Sequence, residues 1–180
     1  EEYRHLRNHQ LNNTIIIPTS TYLVFLYDIL TGTRITKLSD VIFENLKFKN
    51  AVCVPKMGSV PLYVMVQKGS GEFEISSGDE LVGTGVIRTP DSEKLFADMY
   101  DMEIDQKSIK LSNEDIYNEF SHRDHLYSGA YRGIQEITLT EEGSISKIKW
   151  NNNWSEFMES MIQQFLLKNG EREQNTLRVS

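Results

Sequence analysis

Residues 18–30 constrain the fold most strongly, because they predict a helix that is apolar over most of its circumference. Pro18 fits the first helical position, where its missing N–H costs nothing, and Gly32 fits the end. The hydroxyl side chains at 19–21 can satisfy the first-turn N–H groups. A helix of this kind must be buried, so the rest of the chain has to surround it. Its large apolar side chains are Tyr22, Leu23, Phe25, Leu26, Ile29 and Leu30.

The segment after this helix predicts an antiparallel sheet that can wrap it. Apolar and polar residues alternate at 60–66, 72–76 and 80–87, and turn residues containing glycine separate these runs. A less regular alternation covers 41–48. Residues 1–88 therefore predict an α+β structure of the hot-dog type, in which a buried helix is wrapped by an antiparallel sheet.

The second part of the chain again combines strands with helices. A capping-box pattern at 112–115 opens a short helix, and strands are predicted at 134–140 and 145–150. The residues before them are acidic and show no periodic pattern. We therefore expect three parts: a first hot-dog half at 1–88, a linker at 89–110 and a partial second half at 111–180.

A second helix is predicted at 154–168, with Asn153 as its cap and Gly170 after its end. Its apolar residues recur with helical spacing, so we expect this stripe to face the core. A short run at 176–179 could begin a strand. Too few strands follow the helix to cover it, so we expect the second half to be incomplete. The stripe consists of Trp154, Phe157, Met158, Met161, Ile162, Phe165 and Leu166.

Composition excludes several classes of function. The formal net charge is −7 and Lys and Arg are not clustered, which argues against nucleic-acid binding. No apolar run reaches the length of about 18 residues that a transmembrane helix needs. The single cysteine, Cys53, cannot form an internal disulfide, which is typical of cytoplasmic proteins. Its apolar neighbours predict a buried structural thiol.

His9 stands directly before the apolar helix, four residues ahead of Asn13 and nine ahead of Pro18. This spacing resembles His-x3-Gly-x4-Pro, the first signature of the dehydratase domain in animal type I fatty acid synthases and related polyketide synthases, with asparagine in the glycine place. The resemblance extends over essentially the whole chain and is closest to insect-like synthases. Its other parts are Tyr22–Val24, Val41–Glu44, Pro55–Gly58, Phe73–Ser76, Tyr127–Ile134, Asn153–Gln163 and Leu177–Val179.

The resemblance implies a double hot dog with one active site between its halves. His9 would remove the α-proton of a (3R)-hydroxyacyl thioester, and Glu159, in the place of the family's aspartate, would protonate the departing hydroxyl. A displacement of about 1 Å can cost on the order of 100-fold in rate. We therefore expect Glu159→Asp to raise turnover. The residues implied in substrate binding are Asn13, Pro18, Tyr127, Tyr131 and Gln163.

The residues by themselves leave other interpretations open. Glu159 borders the apolar stripe of its helix and could be a solvated edge residue, and Tyr127 and Tyr131 could be ordinary core aromatics. His5 with His9, and His122 with His125, have a spacing that suits zinc. Neither pair is accompanied by a cysteine or carboxylate cluster, so no metal site is predicted.

The resemblance also implies the surroundings of the domain. The domain would need neither metal nor nucleotide, and its substrate would arrive on the phosphopantetheine arm of an acyl carrier protein. Neighbouring synthase domains and a dimeric, cytoplasmic parent enzyme are implied as well. Two alternatives are a non-catalytic dehydratase-like domain that serves as a scaffold, and a hot-dog module that only binds thioesters.

Overall fold

The computed structural model describes residues 4–33, 41–89, 108–141 and 143–169. None of the helices in these ranges is long and apolar enough to cross a membrane. The helices are α1 (Thr19–Thr33), α2 (Asn113–His122) and α3 (Trp154–Asn169), with short 3₁₀ segments at Arg4–Asn8 and Gly129–Tyr131. The strands are β1 (His9–Leu11), β2 (Thr14–Ile15), β3 (Ile42–Phe48), β4 (Tyr63–Val66), β5 (Glu72–Ser77), β6 (Glu80–Arg88), β7 (Ile109–Ser112), β8 (His125–Tyr127), β9 (Ile134–Leu139) and β10 (Ser144–Ile148).

In the first half, α1 packs against a four-stranded antiparallel sheet in the order β3-β6-β5-β4. On β5, Phe73 and Ile75 point to the helix while the alternating glutamates point outward, as the pleat of a strand requires. Burying each such side chain stabilises the fold by about 1.5–3 kcal/mol. The hot-dog arrangement predicted from the sequence is confirmed. The shared core is formed by Ile17, Tyr22, Leu23, Leu26, Val52, Phe73, Ile75, Val82 and Ile87.

Two glycines of β6 let aromatic rings lie directly on this sheet. A Cβ atom at Gly83 would stand 2.6 Å from Cδ1 of Phe48, and one at Gly85 would stand 2.7 Å from Cζ of Phe73. Side chains at these positions would collide with the rings. The glycines are therefore close-approach positions of the sheet.

The second half has its own core, built on an antiparallel sheet in the order β10-β9-β7. The predicted capping box is confirmed, since Ser112 accepts from the N–H of Asp115 and the Asp115 carboxylate accepts from the N–H of Ser112. Strand β7 begins at Ile109, so it takes up the last two residues of the linker predicted at 89–110. Residues 90–107 of that linker, and the strand predicted at 176–179, lie outside the described residues.

A third sheet, in the order β2-β1-β8, joins the halves. Strand β1 comes from the start of the chain, yet it pairs antiparallel with β8 of the second half, placing His9 opposite Tyr127 and Leu11 opposite His125. Helix α1 also contacts α3. The two halves therefore meet along both a strand pair and a helix pair.

Helix α3 turns a different face inward from the one its periodicity predicted. Its polar residues Ser155, Glu156, Glu159, Ser160 and Gln163 are buried, whereas three members of the predicted apolar stripe are exposed by about half or more: Trp154 (62%), Met161 (47%) and Phe165 (60%). On this polar face, Ser155 and Glu159 pack on the first turn of α1, which offers hydroxyl partners. Buried polar groups are tolerated where they are hydrogen-bonded. The interpretation of Glu159 as a solvated edge residue is therefore wrong.

Two further expectations are corrected. Cys53 is exposed and not a buried thiol. It lies in an irregular segment that forms an isolated bridge to Ile16, and the preceding Val52 is the residue that enters the core. Helix α1 is buried mainly over its first half, since Ile29 is 42% exposed.

Shortening one core residue conservatively tests where the core of the second half lies. Ile137 on β9 is fully buried, whereas Ile145 on the adjacent β10 is 40% exposed. We expect Ile137→Val to lower the free energy of unfolding by about 0.5–1.5 kcal/mol, because it leaves a small cavity. Ile145→Val, the matched control, should change it by less than about 0.5 kcal/mol. Urea unfolding measures both, and equal losses would contradict this placement of the core.

Candidate active site

His9 and Glu159 meet at the junction of the two halves. Strand β1 carries His9 and helix α3 carries Glu159, and the His9 Nε2 atom lies 3.3 Å from Glu159 Oε1. Both residues are almost fully buried, at 5% and 3% exposure. The separation is at the long end of a hydrogen bond, as is common for acid–base groups before substrate binds. The structure therefore brings together the two residues that the resemblance singled out.

This pair opens into a cavity of about 190 Å³. A larger hollow of about 450 Å³ lies on the outward face of the four-stranded sheet, lined by Glu72, Glu74 and Lys47 among others. The smaller cavity is the better candidate site, because a buried acid and a possible base converge there. Its wall consists of His9, Leu11, Ile16, Ile17, Thr19, Tyr22, Phe48, Lys49, Asn50, Ala51, His125, Tyr127, Glu159, Ile162 and Leu166.

The turn between β1 and β2 sets the direction of the His9 strand. Asn12 and Asn13 adopt left-handed backbone angles, with φ of 49° and 60°, and asparagine is among the non-glycine residues that tolerate this region best. The N–H of Asn12 donates to the carbonyl of Asp124 at 3.0 Å, which ties the turn to the second half. Asn13 is exposed and does not line the cavity. Its expected contact with substrate is therefore not supported by its position.

Two tyrosines enclose the His9 ring edge-on. The ring centroids of Tyr127 and Tyr131 lie 5.2 Å and 5.5 Å from that of His9. Burial raises the pKa of both phenols well above the usual range, so both remain protonated at neutral pH. Tyr127 lines the cavity, whereas Tyr131 is fully buried behind it. The Tyr131 hydroxyl has no well-aligned partner among the described residues, although Ser155 and Thr21 lie close to it.

Gln163 and Pro18 support the site without lining the cavity. The Gln163 amide accepts from the Tyr117 hydroxyl at 2.9 Å and donates to the Tyr131 carbonyl at 3.1 Å. Pro18 directly precedes α1, and its carbonyl accepts from the N–H of Thr21 at 3.0 Å. Both residues were expected to bind substrate. Their contacts in the structure are with the protein instead.

A group of hydroxyls that sequence reasoning assigned elsewhere lies between α1 and α3. Ser20 donates to Oε2 of Glu159 at 2.9 Å, and the hydroxyls of Thr21 and Ser155 lie 2.7 Å apart. The expectation that the hydroxyls of Ser20 and Thr21 satisfy first-turn donors of α1 is wrong, because they bond across to α3. The available signal was the presence of small polar residues at the start of an otherwise apolar helix.

His125 is a second imidazole in the wall of the cavity. Its Nδ1 atom lies 3.4 Å from the Tyr127 hydroxyl. Burial lowers the pKa of His125, and the nearby His9 and Arg123 lower it further. His125 is therefore neutral at pH 7, and its Nδ1 can accept from Tyr127. Within the described residues, no group of three or more His, Cys, Asp or Glu side chains could hold a metal ion.

The lowered pKa of His125 predicts a pH-dependent stability. The unfolded chain, with a histidine pKa of about 6.5, takes up the proton before the folded chain does. The free energy of unfolding should therefore fall as the pH drops below about 6.5, until the folded protein is protonated too. His125→Gln should reduce this fall, whereas His122→Gln, at an exposed position on α2, should leave it unchanged. Urea unfolding between pH 5 and pH 8 gives the measurement, and an unchanged pH dependence in His125→Gln would contradict the assignment.

Comparison with known proteins shows similarity at the level of structure. No protein-family model matches the chain. The dehydratase domain from the CurF module of curacin polyketide synthase superimposes with a TM-score of 0.70 at 15% identity, covering 89% of this chain and 64% of that domain. The dehydratase domain from the CurK module gives 0.73 at 16% identity, covering 96% and 69%. The dehydratase domain of PpsC from Mycobacterium tuberculosis, solved with C12:1-CoA, gives 0.72 at 13% identity, covering 92% and 64%.

These values establish the fold. The chain spans about two thirds of the length of the solved domains, since it covers 64% of the CurF domain. It has the α+β hot-dog architecture of polyketide synthase dehydratase domains.

Proposed function

We propose that this protein is a dehydratase that removes water from a (3R)-hydroxyacyl thioester to give the trans-2-enoyl thioester. The observation that carries the proposal is the buried pair of His9 and Glu159, one from each half, on a cavity between them. The reaction needs two groups, because the α-proton of a thioester is only weakly acidic and hydroxide is a poor leaving group. The similarity in fold to solved dehydratase domains supports the same activity.

The pair can act in a simple sequence. Neutral His9 takes the α-proton through Nε2 while protonated Glu159 gives its proton to the β-hydroxyl. The C–O bond breaks, the carbon–carbon double bond forms, and water leaves. His9 is then an imidazolium and Glu159 a carboxylate, and their separation of 3.3 Å lets one proton return directly from His9 to Glu159. The site is thereby reset without an external base.

The beginning of α1 provides a place for the thioester carbonyl. Thr19 opens this helix and lines the cavity. The first N–H groups of a helix have no partner within the helix, and the helix dipole is positive at this end. Negative charge that develops on the carbonyl oxygen during proton removal would be stabilised there.

The parent enzyme and the form of the substrate are part of the proposal. The motif resemblance favours an animal, insect-like type I fatty acid synthase over a polyketide synthase. In such an enzyme the acyl group arrives on the phosphopantetheine of an acyl carrier protein, and this domain itself uses neither metal nor nucleotide. The neighbours would be other synthase domains of a dimeric cytoplasmic protein. The division into halves at 1–88 and 111–180, with a linker at 89–110, belongs to the same proposal.

One observation favours a second candidate, a non-catalytic dehydratase-like scaffold. The buried Nδ1 atom of His9 has no hydrogen-bond partner among the described residues. A histidine that accepts a proton at Nε2 carries its own proton on Nδ1, and burying that N–H without an acceptor is unfavourable. The opposite tautomer, which donates from Nε2 to Glu159, would be a poor base.

Incubation with 3-hydroxybutyryl-loaded acyl carrier protein distinguishes these candidates. Mass spectrometry of the carrier should show the loss of one water per acyl group, and an unchanged 3-hydroxybutyryl group would contradict the dehydratase. Binding of the loaded carrier without water loss would favour a module that only binds thioesters. Neither binding nor water loss would favour the scaffold.

A further inference from the structure

Ser20 is placed to control the carboxyl group of Glu159. It is fully buried on the first turn of α1, and its Oγ donates to Glu159 Oε2 at 2.9 Å. The other carboxyl oxygen, Oε1, faces His9 Nε2 at 3.3 Å. Among the described residues, each oxygen of the carboxyl group therefore has one partner, and the two partners come from different parts of the chain.

A second hydrogen bond joins the two helices beside this contact. Thr21 and Ser155 connect α1 and α3 through hydroxyls 2.7 Å apart. Ser155 lies 3.4 Å from Ser20, so it is a much weaker partner for that hydroxyl than Glu159 is. Because this bond holds the two helices together, the Ser20 hydroxyl stays directed at the carboxyl group of Glu159.

The direction of this hydrogen bond decides where an acidic proton can stand. A protonated carboxyl group has one O–H oxygen and one carbonyl oxygen. Because Ser20 donates to Oε2, Oε2 is favoured as the carbonyl oxygen, and the proton is then on Oε1. Oε1 is the oxygen beside His9, where both groups of the proposed reaction must act.

We infer that Ser20 is a positioning residue of this site, whose hydroxyl holds Glu159 Oε2 so that the acidic proton stands on Oε1 next to His9. The inference rests on the proposed function for its effect on rate. The hydrogen bond itself is independent of that function. The residue acts through Glu159 and does not line the cavity.

Variants of Ser20 and of the control residue Ser160 test the kinetic effect. Ser20→Ala should lower kcat for dehydration roughly 10- to 100-fold with KM unchanged, as expected for a lost hydrogen bond to an ionisable group. Ser20→Thr, which keeps the hydroxyl, should restore most of kcat. Ser160→Ala is the matched control, because Ser160 is also fully buried but donates to the Glu156 carbonyl within α3. Should threonine not fit at the packed position, Ser20→Cys, with a weak S–H donor, should give an intermediate kcat.

A double variant separates action through Glu159 from a general loss of packing. If Ser20 works through the carboxyl group, adding Ser20→Ala to Glu159→Gln should lower kcat no further, since contacting residues are not additive. Additive losses would overturn the inference. So would an unchanged kcat in Ser20→Ala, or an equal loss in Ser160→Ala.

An infrared measurement keeps the inference testable if the wild-type protein proves inactive. The difference spectrum between wild type and Glu159→Gln identifies the carboxyl band of Glu159. Ser20→Ala should shift that band, and Ser160→Ala should not. An unshifted band would overturn the positioning role by itself. A shifted band in a protein without dehydratase activity would reject the proposed function and leave the hydrogen bond established.

Discussion

Replacing His9 with alanine is expected to lower kcat for dehydration by about 10²- to 10⁴-fold, the usual contribution of a general base. Among the described residues, no other side chain both lines the cavity and lies within hydrogen-bond distance of the Glu159 carboxyl oxygen Oε1. The effect should appear in kcat more than in KM, because the imidazole acts on the reacting proton. Enoyl formation from a 3-hydroxybutyryl thioester is the measurement.

Two further variants control this experiment. His9→Asn keeps a polar side chain between Tyr127 and Tyr131 and should be as inactive as His9→Ala, which separates lost chemistry from lost packing. His122→Ala, at an exposed position on α2, should retain full activity. If wild type and His9→Ala dehydrate the thioester equally slowly, catalysis is absent and the scaffold candidate is preferred.

Glu159→Gln is expected to cause a loss of similar size, about 10²- to 10⁴-fold in kcat. The amide keeps the shape of the side chain and an oxygen that can accept from Ser20, but it has no acidic proton for the departing hydroxyl. Glu156→Gln is the matched control, because Glu156 is also a buried carboxyl on α3, one turn earlier, and burial raises its pKa. It should leave kcat within a few-fold of wild type.

Glu159→Asp should also lower kcat, which reverses the expectation from sequence. The shorter side chain withdraws the carboxyl group by one methylene, so it cannot keep the contacts with both Ser20 and His9 from the same backbone position. A displacement of about 1 Å can cost on the order of 100-fold in rate.

If Glu159→Gln stays active while His9→Ala does not, another group protonates the hydroxyl. Tyr127 would then be the first candidate, because it lines the cavity and its raised pKa keeps it protonated.

Local sequence patterns determined the secondary structure well. The buried start of α1, the alternating strands β4 to β6 and the Ser112 capping box follow from interactions between residues near one another in the chain. Such patterns depend on the period of a helix or strand and on the donors at its ends. His9 and Glu159 were singled out by resemblance to a known family, and the structure places them in contact.

The tertiary structure alone decided which face of α3 is buried and which residues surround the acid. Periodicity reports that one side of a helix is apolar, but it does not report what the other side packs against. Glu159 and Ser155 on the polar side of α3 can be buried because Ser20 and Thr21, 139 and 134 residues away from them in the chain, are their hydrogen-bond partners. A buried polar group without such partners would be strongly unfavourable. The pairing of β1 with β8, which sets His9 beside Tyr127, is likewise a contact between distant segments that no local pattern encodes.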